Sequence, residues 1–195
     1  MQKVLIATLV LLTTLGLCLP VAAQVKDLPW KMAVVQTDGG KQVSLPFSRP
    51  LTFKDGNHFF LVIIPGAAGF LDVLYEDVNG QVAVLYQAAA KDGAPVILPS
   101  ETEAFEVTPP DGTEKLHVIF SGKAVSSLQS LYKNLPNTSG KLLDALAAYK
   151  TSLSSLAEAP EKPAPMGGTH RGLLDATMTE FRGKDAYVKT IRFDH

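Results

Sequence analysis

Residues Phe59 to Gln87, which read FFLVIIPGAAGFLDVLYEDVNGQVAVLYQ, decide the fold class of this chain. The stretch holds three short apolar runs, separated by Pro65-Gly66 and by Asn79-Gly80. Asn-Gly between alternating apolar runs predicts a β-hairpin, because both central residues of a type I′ turn need a positive φ. We therefore expect a β-rich domain organised around this hairpin.

The three runs differ in their patterning. His58 to Ile64 is apolar without alternation, which predicts a strand buried on both faces. Residues 70–77 alternate and place Leu71, Val73 and Tyr75 on one face. Residues 81–87 alternate as well, with Val82, Val84 and Tyr86 on one face and Ala83 and Leu85 on the other.

Shorter runs with a period of two predict further strands, and turn residues separate them. A turn is predicted at Pro109-Pro110-Asp111-Gly112, because proline presets φ and glycine supplies the permissive position. A last pair of strands is predicted on either side of Arg182-Gly183-Lys184. The predicted additional strands span residues 30–37, 41–45, 96–98, 104–107, 115–121, 172–180 and 186–193.

The period changes from two to nearly four over about residues 124–157, which predicts two amphipathic helices. The first ends at Pro136, and the second begins at Thr138 or Ser139 as its cap. The Pro-rich segment 159–168 is predicted to be a loop. Because the last strand must return to the sheet, the helices form an insertion. The expected fold is mainly β: a single β-sandwich-like antiparallel domain, residues 24–195, with a two-helix insertion.

The first 23 residues have the pattern of a secretory signal peptide. Lys3 precedes an apolar run from Val4 to Leu17, and Val21-Ala22-Ala23 ends in small residues. The run is shorter than the ~20 apolar residues that a membrane span needs. We expect cleavage after Ala23 and export to the periplasm or the medium, with no transmembrane span in the mature chain.

Cys18 is the only cysteine and lies in this segment. A lipoprotein would be acylated at such a cysteine, but its processing requires a small residue upstream, and Leu17 is large. We therefore expect Cys18 to be removed with the signal peptide. The mature chain would then have no disulfide and would depend on its apolar core for stability.

Charge is nearly balanced, with a formal net charge of −1. No strongly basic surface is implied, which argues against nucleic acid or an anionic membrane as the main partner.

The central block resembles a known family. The positions that carry the resemblance are Phe53, Asp55-Gly56, the run to Ile64, the run from Gly69 to Tyr75, Gly80-Gln81-Val82, Leu85-Tyr86, Ile97-Leu98-Pro99, Phe105-Glu106-Val107, residues 110–114 and Phe120-Ser121. This pattern is similar to the bacterial domain-of-unknown-function family 4384, over roughly Pro50 to Ser121, with a weaker match at Arg171-Gly172 and the final strand. The resemblance implies an exported or surface-associated β domain and carries over no catalytic or ligand residues.

Groups that could perform chemistry are scattered. His58, His117, His170 and His195 have no metal-binding spacing, although strand pairing could bring His58 near His117. No catalytic serine motif or phosphate loop is present, and Gly66–Gly69 joins two strands without a helix. The acidic residues are expected on solvated faces: Asp72, Glu76, Asp77, Glu101, Glu103 and Glu106. We expect no catalytic residue, no metal site and no cofactor.

Four aromatic residues are candidates for contact with a partner, although aromatic residues on strands are more often core. They are Trp30, Tyr75, Tyr86 and Tyr187. The sequence therefore favours an exported, non-enzymatic accessory or binding module of the bacterial cell envelope, whose partner is an envelope protein or a cell-surface polymer. Two alternatives stay open: a small secreted hydrolase with its site near Gly66–Gly69 or His117, and a carrier of a small apolar ligand between the sheet and the helices.

Overall fold

A computed structural model describes residues 27–153, 159–165 and 177–195, with no account of side chains at 159–165 and at 177. The signal peptide with Cys18, residues 154–158, residues 166–176 with His170, and the weak family match at Arg171-Gly172 lie outside the described residues. The elements in chain order are β1 (Asp27–Asp38), β2 (Lys41–Leu45), β3 (Leu51–Thr52), β4 (His58–Pro65), β5 (Gly69–Glu76), β6 (Val82–Ala90), β7 (Val96–Leu98), β8 (Phe105–Glu106), β9 (Thr113–Ser121), α1 (Ser126–Tyr132), α2 (Ser139–Leu153), β10 (Ala159–Pro165), β11 (Thr177–Lys184) and β12 (Ala186–Asp194).

The strands form two layers. The first, here called the helix-covered sheet, has the order β6-β5-β9-β12, with β3 beside β12. The second, here called the β1 sheet, has the order β11-β1-β4-β7; β10 pairs with β11, β2 with β1, and β8 with β4. Pairing is antiparallel throughout the described residues except between β3 and β12. The predicted mainly β, sandwich-like fold is confirmed.

The two layers join at one corner. β11 and β12 share a single pair, Lys184 with Ala186, and Asp185 between them has a φ of 62°. A Cβ on Gly183 would lie 2.4 Å from the carbonyl oxygen of Ala186, so the corner requires glycine there. The predicted last strand pair is therefore a corner between the layers and not an extended hairpin.

The main core lies between the layers. Alternate residues of the strands point into it, among them Trp30 and Phe181, whose rings stack with centroids 4.5 Å apart. Leu71 and Val73 of β5 face Leu61 and other residues of β4 across this core. Each large apolar side chain buried in this way contributes up to ~1.5–3 kcal/mol relative to exposure.

The helices cover the outer face of the helix-covered sheet. Leu142 and Leu146 lie one turn apart on α2, and with Leu128 of α1 they pack in a second apolar cluster with Leu74 and Ile119. Buried Ser139, at the start of α2, accepts a hydrogen bond from the backbone N–H of Val82 at 2.9 Å. The predicted helical insertion is confirmed, since α1 and α2 lie between β9 and β11.

β4 is buried on both faces, as its unbroken apolar run predicts. Leu61 and Ile63 face the main core, whereas Phe60 and Val62 belong to a third cluster on the outer face of the β1 sheet, together with Val35.

The β5–β6 hairpin forms, but its turn differs from the prediction. Only Gly80 has a positive φ, at 75°, so the type I′ assignment, which needs a positive φ at Asn79, is wrong. The carboxylate of Asp77 accepts hydrogen bonds from the N–H groups of Asn79 and Gln81, which stabilises a longer turn.

The predicted Pro-rich loop 159–168 is wrong for residues 159–165. These form β10, which pairs antiparallel with β11. Within the described part of the chain β10 pairs only with β11, and an edge strand accepts proline because a missing N–H on its outer side breaks no ladder. Residues 166–168 lie outside the described residues.

Candidate functional site

An apolar pocket opens at one end of the sandwich, between the two layers, with a volume of about 190 Å³. It is here called the end pocket. Most of its wall is aromatic or aliphatic. Its lining residues are Phe59, Tyr75, Leu85, Phe105, Glu106, Val107, Thr108, Glu114, Leu116 and Phe193.

Strand alternation positions the wall. Phe59 of β4, Leu116 of β9 and Phe193 of β12 point to the inner side of their strands, where the main core lies. The ring centroid of Phe59 is 5.3 Å from that of Phe193 and 5.4 Å from that of Phe105, so the aromatic rings of the wall pack against one another.

A β-bulge in β6 adds the wall residue that period-two reasoning misassigned. Val73 pairs with Tyr86 but Leu74 pairs with Val84, which leaves Leu85 as the extra residue. A bulge re-aims the side chains that follow it. As a result Leu85 and Tyr86 both pack against the main core, whereas Val84 packs against the helices.

The polar part of the end pocket includes one hydrogen-bonded pair. The hydroxyl of Tyr75 donates to a carboxylate oxygen of Glu114. Burial, together with the hydrogen bond to Glu114, raises the pKa of Tyr75 well above its ordinary value, so the phenol keeps its proton at physiological pH. Glu106 is exposed and lies at the rim. The end pocket therefore has two carboxyl side chains beside its apolar interior, Glu106 at the rim and Glu114 in the wall.

The pocket lies beside a sheet edge. β6 is the terminal strand of the helix-covered sheet, and among the described residues it pairs only with β5. Leu85 belongs to this strand and also to the pocket wall. A row of backbone N–H and C=O groups thus runs along the pocket's border, where a further strand could pair.

A buried polar cluster lies on the other side of the helix-covered sheet, next to α2. Here Glu76 receives hydrogen bonds from Lys115 at 2.7 Å and from Nε2 of His117 at 2.9 Å. Nδ1 of His117 lies 3.1 Å from the hydroxyl oxygen of Thr190. These four residues are here called the Glu76 cluster, and they border a cavity of about 260 Å³ that Lys150 also lines.

The protonation states in the Glu76 cluster follow from burial and charge. Burial lowers the pKa of His117, despite the opposing effect of Glu76, so the imidazole is neutral. Burial by itself would raise the pKa of Glu76, but the hydrogen bonds from Lys115 and His117 outweigh it and lower that pKa. Since a carboxylate only accepts, Nε2–H of His117 donates to Glu76, and Nδ1 accepts from Thr190.

Asp72 is a second buried carboxyl group on this face of β5. It accepts hydrogen bonds from the hydroxyl of Tyr132 at 3.0 Å and from Gln129 at 3.3 Å, both on α1. Burial raises the pKa of Asp72 against the lowering effect of these bonds. The expected solvated position of Asp72 and Glu76 is wrong, because the helical insertion covers the face on which they lie.

The four predicted partner-contact aromatics do not share one surface. Trp30 is 1% exposed and Tyr187 is 6% exposed, both within the main core, so their assignment to a platform is wrong. Tyr75 lines the end pocket, and half-buried Tyr86 follows the bulge. Trp30 and Tyr187 are buried because the register of β1 and β12 turns their side chains towards Phe181.

Other residues singled out in the sequence are placed apart. His58 lies exposed on β4 of the β1 sheet, while His117 is buried on β9, so strand pairing does not join them. At Gly66 a Cβ would lie 2.8 Å from the carbonyl oxygen of Pro29, and at Gly69 one would lie 2.6 Å from that of Ser121. These glycines allow close backbone packing and do not form a ligand cradle.

Sequence reasoning missed the lining of the end pocket and the Glu76 cluster. The sequence singles out Tyr75 as a candidate contact, whereas Glu114 appears there only among the positions that resemble family 4384. The signal for the cluster was available in part: Glu76, His117 and Thr190 each fall on the face of a strand opposite to its core residues. Their meeting depends on strand order, which places β9 between β5 and β12.

Fold and sites together define a β-sandwich with a helical cover, an apolar end pocket and a buried polar cluster. Comparisons with protein-family models, with curated proteins and with solved structures found no match to this chain. The resemblance to family 4384 thus stays a prediction. Neither of the described helices has the length and apolar character needed to cross a membrane.

Proposed function

We propose that this chain is an exported, non-enzymatic binding module of the bacterial cell envelope, and that its ligand is another envelope protein. The observation that carries the proposal is the end pocket beside the edge of β6, a strand that pairs only with β5 among the described residues. Export rests on the amino-terminal sequence pattern of residues 1–23.

The size of the end pocket selects the kind of group that enters it. Sites for drug-sized ligands occupy roughly 300–1,000 Å³, whereas this pocket has about 190 Å³. An apolar cavity of ~150 Å³ accommodates a benzene ring. The pocket therefore suits one aromatic or branched aliphatic side chain, which would act as the anchor of a larger partner.

The adjacent strand edge supplies a way to hold the rest of that partner. An extended segment that pairs with an exposed edge gains main-chain hydrogen bonds, and a pocket beside the edge selects its side chains. Glu106 at the rim and Glu114 in the wall favour a partner segment with a basic residue next to the apolar anchor.

A pocket-filling substitution tests the proposal. Leu85→Trp adds bulk to the pocket wall, whereas Val43→Trp, at a residue of β2 that is 56% exposed, adds the same bulk away from it. The purified wild-type protein and both variants are used as baits in envelope extracts at several salt concentrations. We expect the wild type and Val43→Trp to recover the same protein, and Leu85→Trp to lose it.

Two results would count against this function: recovery of nothing above background by the wild type at every salt concentration, or equal recovery by Leu85→Trp. Circular dichroism of each variant before the assay separates loss of binding from loss of folding.

A hydrolase is the second candidate, favoured by the Glu76 cluster. Thr190, His117 and Glu76 follow one another as hydroxyl, imidazole and carboxylate, the order of a nucleophile, its base and an orienting acid. Against it, Thr190 pairs with His117 across the β9–β12 ladder, so nearby backbone N–H groups are engaged in the sheet and not directed at an oxyanion. Turnover of ester or peptide substrates that Thr190→Val abolishes would establish this candidate over the first.

A carrier of a small apolar ligand is the third candidate. Besides the end pocket, a more open crevice of about 460 Å³ lies between β6 and the α1–α2 connection, lined in part by Val84 and Leu135. Native mass spectrometry of the purified protein distinguishes a carrier, because a retained ligand adds a discrete mass that Leu85→Trp or Val84→Trp removes.

A further inference from the structure

Three chain segments meet beside the end pocket and bring a histidine to two aspartates. Asp55 lies in the turn between β3 and β4, Asp111 in the turn before β9, and His195 directly after β12. One ligand atom from each of these three residues lies within 4.8 Å of those of the other two. Asp111 follows Asp55 by 56 positions and precedes His195 by 84, so only the tertiary fold brings the three residues together.

Backbone hydrogen bonds hold the three segments together. The N–H of Gly112 donates to the carbonyl of His195 at 2.8 Å, and the N–H of His195 donates back at 3.1 Å. On the other side, the N–H of Phe53 donates to the carbonyl of Asp194 at 3.0 Å. The backbone hydrogen bonds of the sheet thus bring the three segments together.

His195 has the feature that points to a ligand. Its side chain is 1% exposed, and among the described residues neither ring nitrogen has a hydrogen-bond partner. Nδ1 lies 3.8 Å from a carboxylate oxygen of Asp55, which is too far for a hydrogen bond. A buried imidazole without a partner costs free energy, so an unmade hydrogen bond here needs an explanation.

We propose that Asp55, Asp111 and His195 bind a divalent transition-metal ion, Zn²⁺ in particular. Ligand bonds of ~2.0–2.1 Å in a tetrahedral site place neighbouring ligand atoms ~3.3 Å apart, longer than a hydrogen bond. The observed spacing between Nδ1 and Asp55 is close to this separation and contracts by about half an ångström on binding. Imidazole favours Zn²⁺ over Ca²⁺ and Mg²⁺, which take oxygen ligands. Three protein ligands leave a fourth position for water or a partner's side chain.

Glu114 supports the assignment of Nδ1 as the ligand. Nε2 of His195 lies 3.6 Å from Oε2 of Glu114, on the other side of the ring from Asp55. Zinc-bound histidines commonly direct the second ring nitrogen to a carboxylate, which fixes the ring and its tautomer. Glu114 also accepts a hydrogen bond from the hydroxyl of Tyr75 in the end pocket, so it is a positioning residue shared by the end pocket and the proposed metal site.

The proposal is tested by isothermal titration of ZnCl₂ into untagged protein from which metal has been removed with a chelator. The absorption spectrum of bound Co²⁺ reports which kinds of ligand atom hold the metal. The test variants are His195→Gln and Asp111→Asn. Matched controls are His58→Gln and Asp38→Asn, at exposed positions outside the cluster. We expect one Zn²⁺ per chain, weakened about tenfold or more by each test variant and unchanged by each control.

Asp111 is exposed on a turn, so its variant keeps the test valid even where His195→Gln unfolds the chain. Three results would overturn the site: no Zn²⁺ binding at millimolar concentration, binding that both test variants retain, or Ca²⁺ bound in preference to Zn²⁺. The proposal is independent of the proposed function, because Leu85→Trp leaves all three ligands in place.

Discussion

Replacing Glu76 with Gln tests the buried interaction at the centre of the Glu76 cluster. The carboxylate of Glu76 accepts one hydrogen bond from Lys115 at 2.7 Å and one from His117 at 2.9 Å, and its residue is 8% exposed. Glutamine has the same shape but only one accepting oxygen. Its NH₂ group must therefore face one of the two former donors.

The cost can be worked out partner by partner. His117 has a second tautomer, in which Nε2 accepts a hydrogen bond from the new NH₂ group and Nδ1–H donates one to Thr190. Both hydrogen bonds of His117 are therefore kept. Lys115 loses its charged partner, and a hydrogen bond to a charged group contributes ~1.5–3 kcal/mol. Because the side chain of Lys115 is 37% exposed, water replaces part of that interaction. We expect a loss of about 2 kcal/mol of unfolding free energy.

Urea denaturation at neutral pH measures this loss, and a loss of that size lowers the Tm by ~4–8 °C in a domain of 150–250 residues. The matched control is Glu103→Gln, because Glu103 is exposed and its only side-chain hydrogen bond within the described residues comes from Ser100 at 3.4 Å. A destabilisation of Glu76→Gln no larger than that of the control would show that water, and not the cluster, satisfies the carboxylate, and the reasoning would be wrong.

The remaining predictions concern pH, a corner and a helix start. Burial lowers the pKa of His117 below its ordinary value of 6.5, so the unfolded chain binds more protons than the folded chain and stability falls as pH drops below 6.5. His117→Gln should flatten this part of a Tm-against-pH curve. An unchanged slope would show that other groups cause the pH dependence. Gly183→Ala should destabilise by ~1–3 kcal/mol in urea because its Cβ has no room, whereas Gly140→Ala, in open space on α2, should stabilise by up to ~1 kcal/mol; equal effects would contradict the corner geometry. Ser139→Ala should cost ~1–3 kcal/mol because it leaves the buried N–H of Val82 without its acceptor, and rapid amide hydrogen exchange at Val82 should accompany the loss.

Local pattern predicted much of the fold. The unbroken apolar run from His58 to Ile64 indicated a strand with two buried faces, and the change of period after Ser121 indicated the helices, because both signals are carried by neighbouring residues. Errors arose where one residue changes the register. Leu85 shifts the side chains after it through a bulge, and the Pro-rich segment becomes an edge strand because β11 lies beside it.

Sequence alone determined that this chain is mainly β with a helical insertion, since periodicity and turn residues act over a few positions. Tertiary structure alone decided that Tyr75 and Glu114 share the end pocket, that Glu76 meets His117, and that Asp55 and Asp111 meet His195. The physical reason is that these contacts join residues tens of positions apart, and they depend on which strands are neighbours. Strand order follows from the summed packing of all the apolar faces, which no short stretch of sequence encodes.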